Sequence, residues 1–201
     1  MSLRIKRHWF KEDTARDAKA SASAVAATVW KASVHGMQNV RKARFTVDVG
    51  APYIAMLDEF LTFLVAVADR IAYRHDQGAW REAFTVALAT RLADIYDENL
   101  DHLMGPDPEL GHKRRFIDLL NLRMAECAGL DYTEHGPNAD FLRQFGYRIS
   151  GVLTDEADRR WALDQMMSVQ APEALESLES AMRGVLGIDP KPRRRAAGGG
   201  D

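Results

Sequence analysis

The chain has 201 residues, of which 46% are hydrophobic and 28% charged, with a formal net charge of −2 at pH 7. That length suits one ordinary domain whose core needs no metal or disulfide staple, and the apolar content excludes a disordered chain. The lone cysteine, Cys127, excludes an internal disulfide and a cysteine-based zinc site, and it fits a reducing compartment.

The charge is unevenly spread. Residues 1–44 hold ten Lys/Arg against three Asp/Glu, residues 45–189 hold 13 against 25, and the tail from Pro190 holds four against one. Such asymmetry points to partners or to one region docking on another, and it says nothing of catalysis. Arg4, Lys6, Arg7 and Lys11 are not followed by the apolar stretch of an export signal. The expected location is therefore the cytoplasm. The expected organisation is a basic arm over residues 1–13, one helical domain over 14–188, and a disordered basic Pro/Arg/Gly tail over 189–201.

The first helix is expected from Thr14 to Arg44. Ala18, Ala22, Val25, Val29, Ala32, Gly36 and Ala43 keep a four-three spacing with Asn39 in the missing slot, a seam of small residues. Such a seam lets two backbones approach closely and serves a dimer or an internal helix pair equally. Gly36 weakens the helix by about 1 kcal/mol relative to Ala, which calls for a packing reason or a kink. Phe45–Val49 alternates apolar and polar and reads as an extended connector.

Pro52 opens a second helix reaching His75. Its apolar arc covers roughly 200°, far wider than the stripe of a surface helix. Its longest apolar run, Phe60 to Ala68, is broken by Thr62 and flanked by Asp58-Glu59 and Asp69-Arg70. A membrane span needs about 20 apolar residues, so this is expected to be the central buried helix. Gly78 and Gly105 bracket a third helix, Ala79 to Met104, with Phe84, Leu88, Leu92, Ile95, Tyr96 and Leu103 inward. A fourth is expected over His112–Ala128 and a fifth over Asn138–Leu153. A sixth opens at Thr154-Asp155-Glu156 and buries Trp161, Leu163, Met166 and Val169. A seventh starts at Pro172 and ends at Gly187. The prediction is all-α, an irregular bundle of about seven helices around a hydrophobic one. The order of helices from Pro52 to Tyr132 resembles that of the bacterial ubiquinol–cytochrome c chaperone domain. The resemblance does not extend over residues 138–187, and no site residue is taken from it.

The third helix carries Asp94, Asp97, Glu98, Asp101 and His102, and carboxylates four apart line a face that could hold a metal ion. The metal-enzyme reading uses Asp94, Glu98 and His102. By the 100° step of an α-helix, Asp94, Asp97 and Asp101 lie roughly 140–160° from the centre of the apolar side. They face away from the core, whereas bundle metal sites project inward. The histidines show no His-Glu-x-x-His spacing, Glu109-Leu110-Gly111-His112 is a single Glu-x-x-His where di-iron proteins need two, and phosphate-binding and nucleophile-elbow motifs are missing. Cys127 falls on the apolar face of its helix and reads as a core residue.

The basic arm mixes cations with aromatics, and Arg4, Lys6, Arg7 and Trp9 suit an acidic partner or a nucleic-acid backbone. Lys113, Arg114 and Arg115 stand at a helix start, where positive charge is unfavourable, and so are the better candidates for binding an anion. With no inward-facing polar constellation legible, the expectation leans away from an enzyme and implies no cofactor. It favours a non-enzymatic adaptor, assembly or regulatory protein that binds another protein. Nucleic acid is disfavoured as a partner by the acidic bulk of the domain.

Overall fold

The computed structural model describes residues 18–42 and 50–188. Within them lie α1 (Ala18–Lys42), α2 (Ala51–His75), α3 (Ala79–Met104), α4 (His112–Cys127), α5 (Ala139–Val152), α6 (Glu156–Gln165) and α7 (Ala171–Leu186). The fold is the expected all-α bundle. The arm residues Arg4, Lys6, Arg7 and Trp9, together with Ala43, the Phe45–Val49 connector and the tail from residue 189, fall outside the described residues.

The helix count differs from the expectation. A π-helical segment, Met166–Gln170, joins α6 to α7 without a break, so the described residues form six rods rather than seven. Ala171 donates its N–H to the Met166 carbonyl, five residues back. Pro172 therefore lies inside a rod instead of starting one. Its ring would crowd the carbonyl four residues back in a regular α-helix, and the wider π turn just before it eases that clash. A two-residue hairpin, Tyr132–Thr133 against Gly136–Pro137, was also not anticipated. It pairs Tyr132 with Pro137 and Thr133 with Gly136, and Gly136 has φ 104°.

Helix ends follow local chemistry. The Asn138 side chain accepts from the Phe141 N–H at 2.9 Å, and Asp155 accepts from Ala157 and Asp158 at 2.8 and 3.0 Å. Each meets amide donors that the first helical turn cannot satisfy internally. Gly187, at φ 69°, ends the last helix in the left-handed region that glycine adopts without steric cost.

The core is built on α2, which packs against α1, α3, α4, α5 and α7. Phe60, Leu61, Leu64, Val65, Val67 and Ala68 are fully buried. By length and composition α2 could cross a membrane, but most of it is covered by its neighbours. Its aromatic side meets α5: Phe60 lies edge-on to Phe145 at 5.0 Å, Phe63 stacks on Phe145 at 4.3 Å, and Phe63 meets Phe141 edge-on at 5.8 Å. Such edge and offset arrangements add to the area they bury.

The small-residue seam of α1 packs inside the chain. Ala18, Ala22, Val25, Val29 and Gly36 are buried, with Ser21, Ala26, Ser33, Met37 and Val40 widening the seam toward α3, α7 and α2. Asn39, the polar slot, donates to Glu173 of α7 at 3.1 Å. Gly36 has a packing reason: a Cβ there would lie 2.6 Å from Phe60 Cε1 and 2.9 Å from its Cζ. Two expected core residues are exposed: Leu103 in the last turn of α3, at 58%, and Trp161, on an α6 whose main contacts are α5 and the π segment, at 45%.

These contacts predict opposite signs for one substitution at two glycines. A Cβ at Gly184 would have no neighbour within 4 Å, so Gly184→Ala should stabilise by about 0.5–1 kcal/mol through helix propensity. Gly36→Ala gains the same propensity but drives a methyl into the immobile Phe60 ring, and overpacking costs roughly 1–3 kcal/mol. Urea unfolding should show Gly36→Ala destabilised and Gly184→Ala stabilised.

Candidate functional site

The acidic face of α3 is where α4 begins. The Asp97 carboxylate accepts the backbone N–H of Lys113 at 2.9 Å, and the Lys113 ammonium reaches Asp94. His112 turns back so that Nε2 lies 2.9 Å from the Gly105 carbonyl and 3.7 Å from Asp101. The first turn of α4 contains no acid of its own, so α3 supplies the negative charge that a helix N-terminus favours. The hydrogen bond from Lys113 to Asp94 raises the lysine pKa.

The basic cluster is matched at each position. Lys113 meets Asp94, Arg114 lies 3.8 Å from Asp118, and Arg115 lies 3.4 Å from Asp107. The intervening loop is tied by the Glu109 N–H donating to Asp107 at 3.0 Å, which lowers the Asp107 pKa. Of the metal-reading residues, Asp94 is engaged by Lys113, while Glu98 and His102 are exposed. Among the described residues no three His, Cys, Asp or Glu side chains gather as a metal ion would need. His112 is buried.

The expectation that polar groups do not converge inward is corrected. Glu59 of α2, 7% exposed, is held by Arg123 of α4 through contacts of 2.6, 3.1 and 3.1 Å. Arg123 also reaches Glu126 at 3.2 Å, and Glu126 meets Arg148 of α5. Farther along α2, Asp69 takes two hydrogen bonds from Arg81, at 3.0 and 2.7 Å, and one from the Thr85 hydroxyl at 2.7 Å. Arg70 donates to the Cys127, Ala128 and Leu130 carbonyls at 2.9, 3.0 and 3.4 Å, closing the end of α4. Cys127 is buried, as expected, and burial pushes its thiol pKa up.

Asp58 is the unusual member of this set. Burial pushes its pKa up to about 6, and Glu59 adds to the rise. The Tyr96 hydroxyl, Arg115 and Arg123 pull the other way, and Oδ1 is enclosed without a hydrogen-bond partner among the described residues. Tyr96, stacked on Phe116 at 4.9 Å, is itself raised, first by burial and then by the Asp58 charge. Chemically this is a carboxyl that changes protonation near neutrality inside the junction of α2, α3 and α4. Sequence reasoning missed it because Asp58 sits at the margin of an apolar arc whose partners lie on other helices.

Comparison with protein families, curated proteins and solved structures gives no match.

A raised carboxyl pKa makes stability fall as pH rises. Below the unfolded value of 3.8 the group is protonated in both states and imposes no penalty, and the penalty grows until pH passes about 6. Two units correspond to on the order of 3 kcal/mol. Asp58→Asn should therefore gain stability over the parent by about 2–3 kcal/mol between pH 4 and pH 7. Urea unfolding of both proteins at the two pH values checks this.

Proposed function

We propose that the protein acts by binding a partner protein, and that the corner between α3 and α4 is the contact surface. The supporting observation is three exposed apolar side chains at this corner, Leu103 at 58% and Met104 at 50% in the last turn of α3, and Leu110 at 54% in the loop before α4. Single exposed apolar residues are ordinary on a protein surface, whereas a concentration of them marks a contact. The corner is also fastened, through His112 on Gly105 and Arg115 on Asp107, so little order need be gained on binding.

Charge defines the partner. The cations of the corner each face a carboxylate of the same chain, while Glu98 and Glu109 are exposed and in no ion pair among the described residues. The rim is acidic, and it suits an apolar surface bordered by Lys and Arg. No chemistry on bound substrate is needed for this reading.

The test is a pull-down from native cell extract with the intact protein and with a variant carrying Leu103→Ser, Met104→Ser and Leu110→Ser. The parent should retain a stoichiometric protein whose capture weakens with salt. The variant should lose it while its thermal midpoint stays within a few degrees, since exposed positions contribute within about 0.5 kcal/mol each. Equal capture by both proteins, or capture by neither, contradicts the proposal.

A further inference from the structure

We infer that the cleft between α1 and α7 is a binding site for a small zwitterion of the amino-acid class. The cleft has a volume of about 260 Å³ and is lined on the α1 side by Thr28, Lys31 and His35, and on the other by Gln170, Glu173 and Ser177. Gly36 and Ala174 also line it, and their small size leaves the space open. It shares no residue with the α3–α4 corner.

Its two walls carry opposite charge. Lys31 forms no ion pair among the described residues, and Glu173 spends one carboxylate oxygen on the Asn39 amide at 3.1 Å, leaving the other open. The Ser177 hydroxyl donates to the Glu173 carbonyl at 3.2 Å, so its oxygen remains an acceptor. A molecule with a carboxylate for Lys31 and an ammonium for Glu173 satisfies both walls at once. A simple anion or a simple cation satisfies one and is repelled by the other.

Gln170 supplies a second, independent observation. It is 3% exposed, it lines the cleft, and its Oε1 has no hydrogen-bond partner among the described residues. An enclosed amide oxygen without a donor is unfavourable, and an apolar side chain of similar shape removes that cost. Its amide carries a donor and an acceptor on one group, so Gln170 can meet either end of a zwitterion, its N–H donating to a carboxylate or its oxygen accepting from an ammonium. Gln170 is also the last residue of the π segment, the kind of helix insertion that recurs at functional sites.

Thermal unfolding of the full chain in the presence of each free L-amino acid at millimolar concentration tests this, with acetate and methylammonium as single-charge controls. At least one amino acid should raise the midpoint by mass action, and the controls should not. Gln170→Met and Lys31→Ala should each weaken the effect by roughly tenfold in affinity. Gln170→Met alone should leave the midpoint of the unliganded protein equal or higher, which separates lost binding from lost folding. The assignment is overturned if no amino acid shifts the midpoint, if acetate or methylammonium shifts it equally, or if both variants bind as the parent does.

Discussion

A helix covered on nearly every side has few places for a charge, yet α2 carries Asp58, Glu59, Asp69 and Arg70 at the two ends of its apolar run. The rest of the bundle is arranged around meeting them. Arg123 brings α4 to Glu59, Arg81 and Thr85 bring α3 to Asp69, and Arg70 gathers the carbonyls at the end of α4. A buried ion costs several kcal/mol to desolvate, and only good geometry with further hydrogen bonds repays it. A well-packed aliphatic pair would stabilise as much. What the ion pairs add is position, because a slip of one residue along α2 would leave a buried charge unmatched.

With α3 and α4 fixed at both ends of α2, their own junction is constrained. The N-terminus of α4 falls on the acidic face of α3, and the end of α3 with the loop after it leaves Leu103, Met104 and Leu110 exposed. On the other side of α2, the small residues of α1 allow close packing, with Gly36 against Phe60. The same thinness leaves the cleft against α7, where the π segment sets Gln170. Both surfaces proposed for binding thus follow from how neighbouring helices are seated on one central rod.

Much of this was legible in the sequence, and the parts that were not share a cause. Gly78 and Gly105 bound α3 at the residues expected, Asn138 and Asp155 cap as their chemistry dictates, and the outward turn of Asp94, Asp97 and Asp101 follows from helical geometry. The apolar run of α2 announced its burial. Its flanking charges did not announce their partners, because Arg81 lies 12 residues from Asp69 and Arg123 lies 64 from Glu59. Periodicity reports which face a residue occupies, and it is silent on which helix arrives there. One clue was available: Lys113, Arg114 and Arg115 at a helix start require acids from elsewhere, and α3 and its loop hold Asp94 and Asp107. Pro172 misled because proline in a first turn is the usual case, and a π segment ahead of it has no sequence signature to set against that rule.

The central claim is that the Glu59–Arg123 pair seats α4 on α2, and a double-mutant cycle tests it most directly. Urea unfolding would be measured for the parent, Arg123→Met, Glu59→Gln and the double variant. Arg123→Met strands a buried carboxylate and should cost about 3–5 kcal/mol, while the double variant should be more stable than Arg123→Met alone. Effects that simply add, within about 0.5 kcal/mol, would contradict the account.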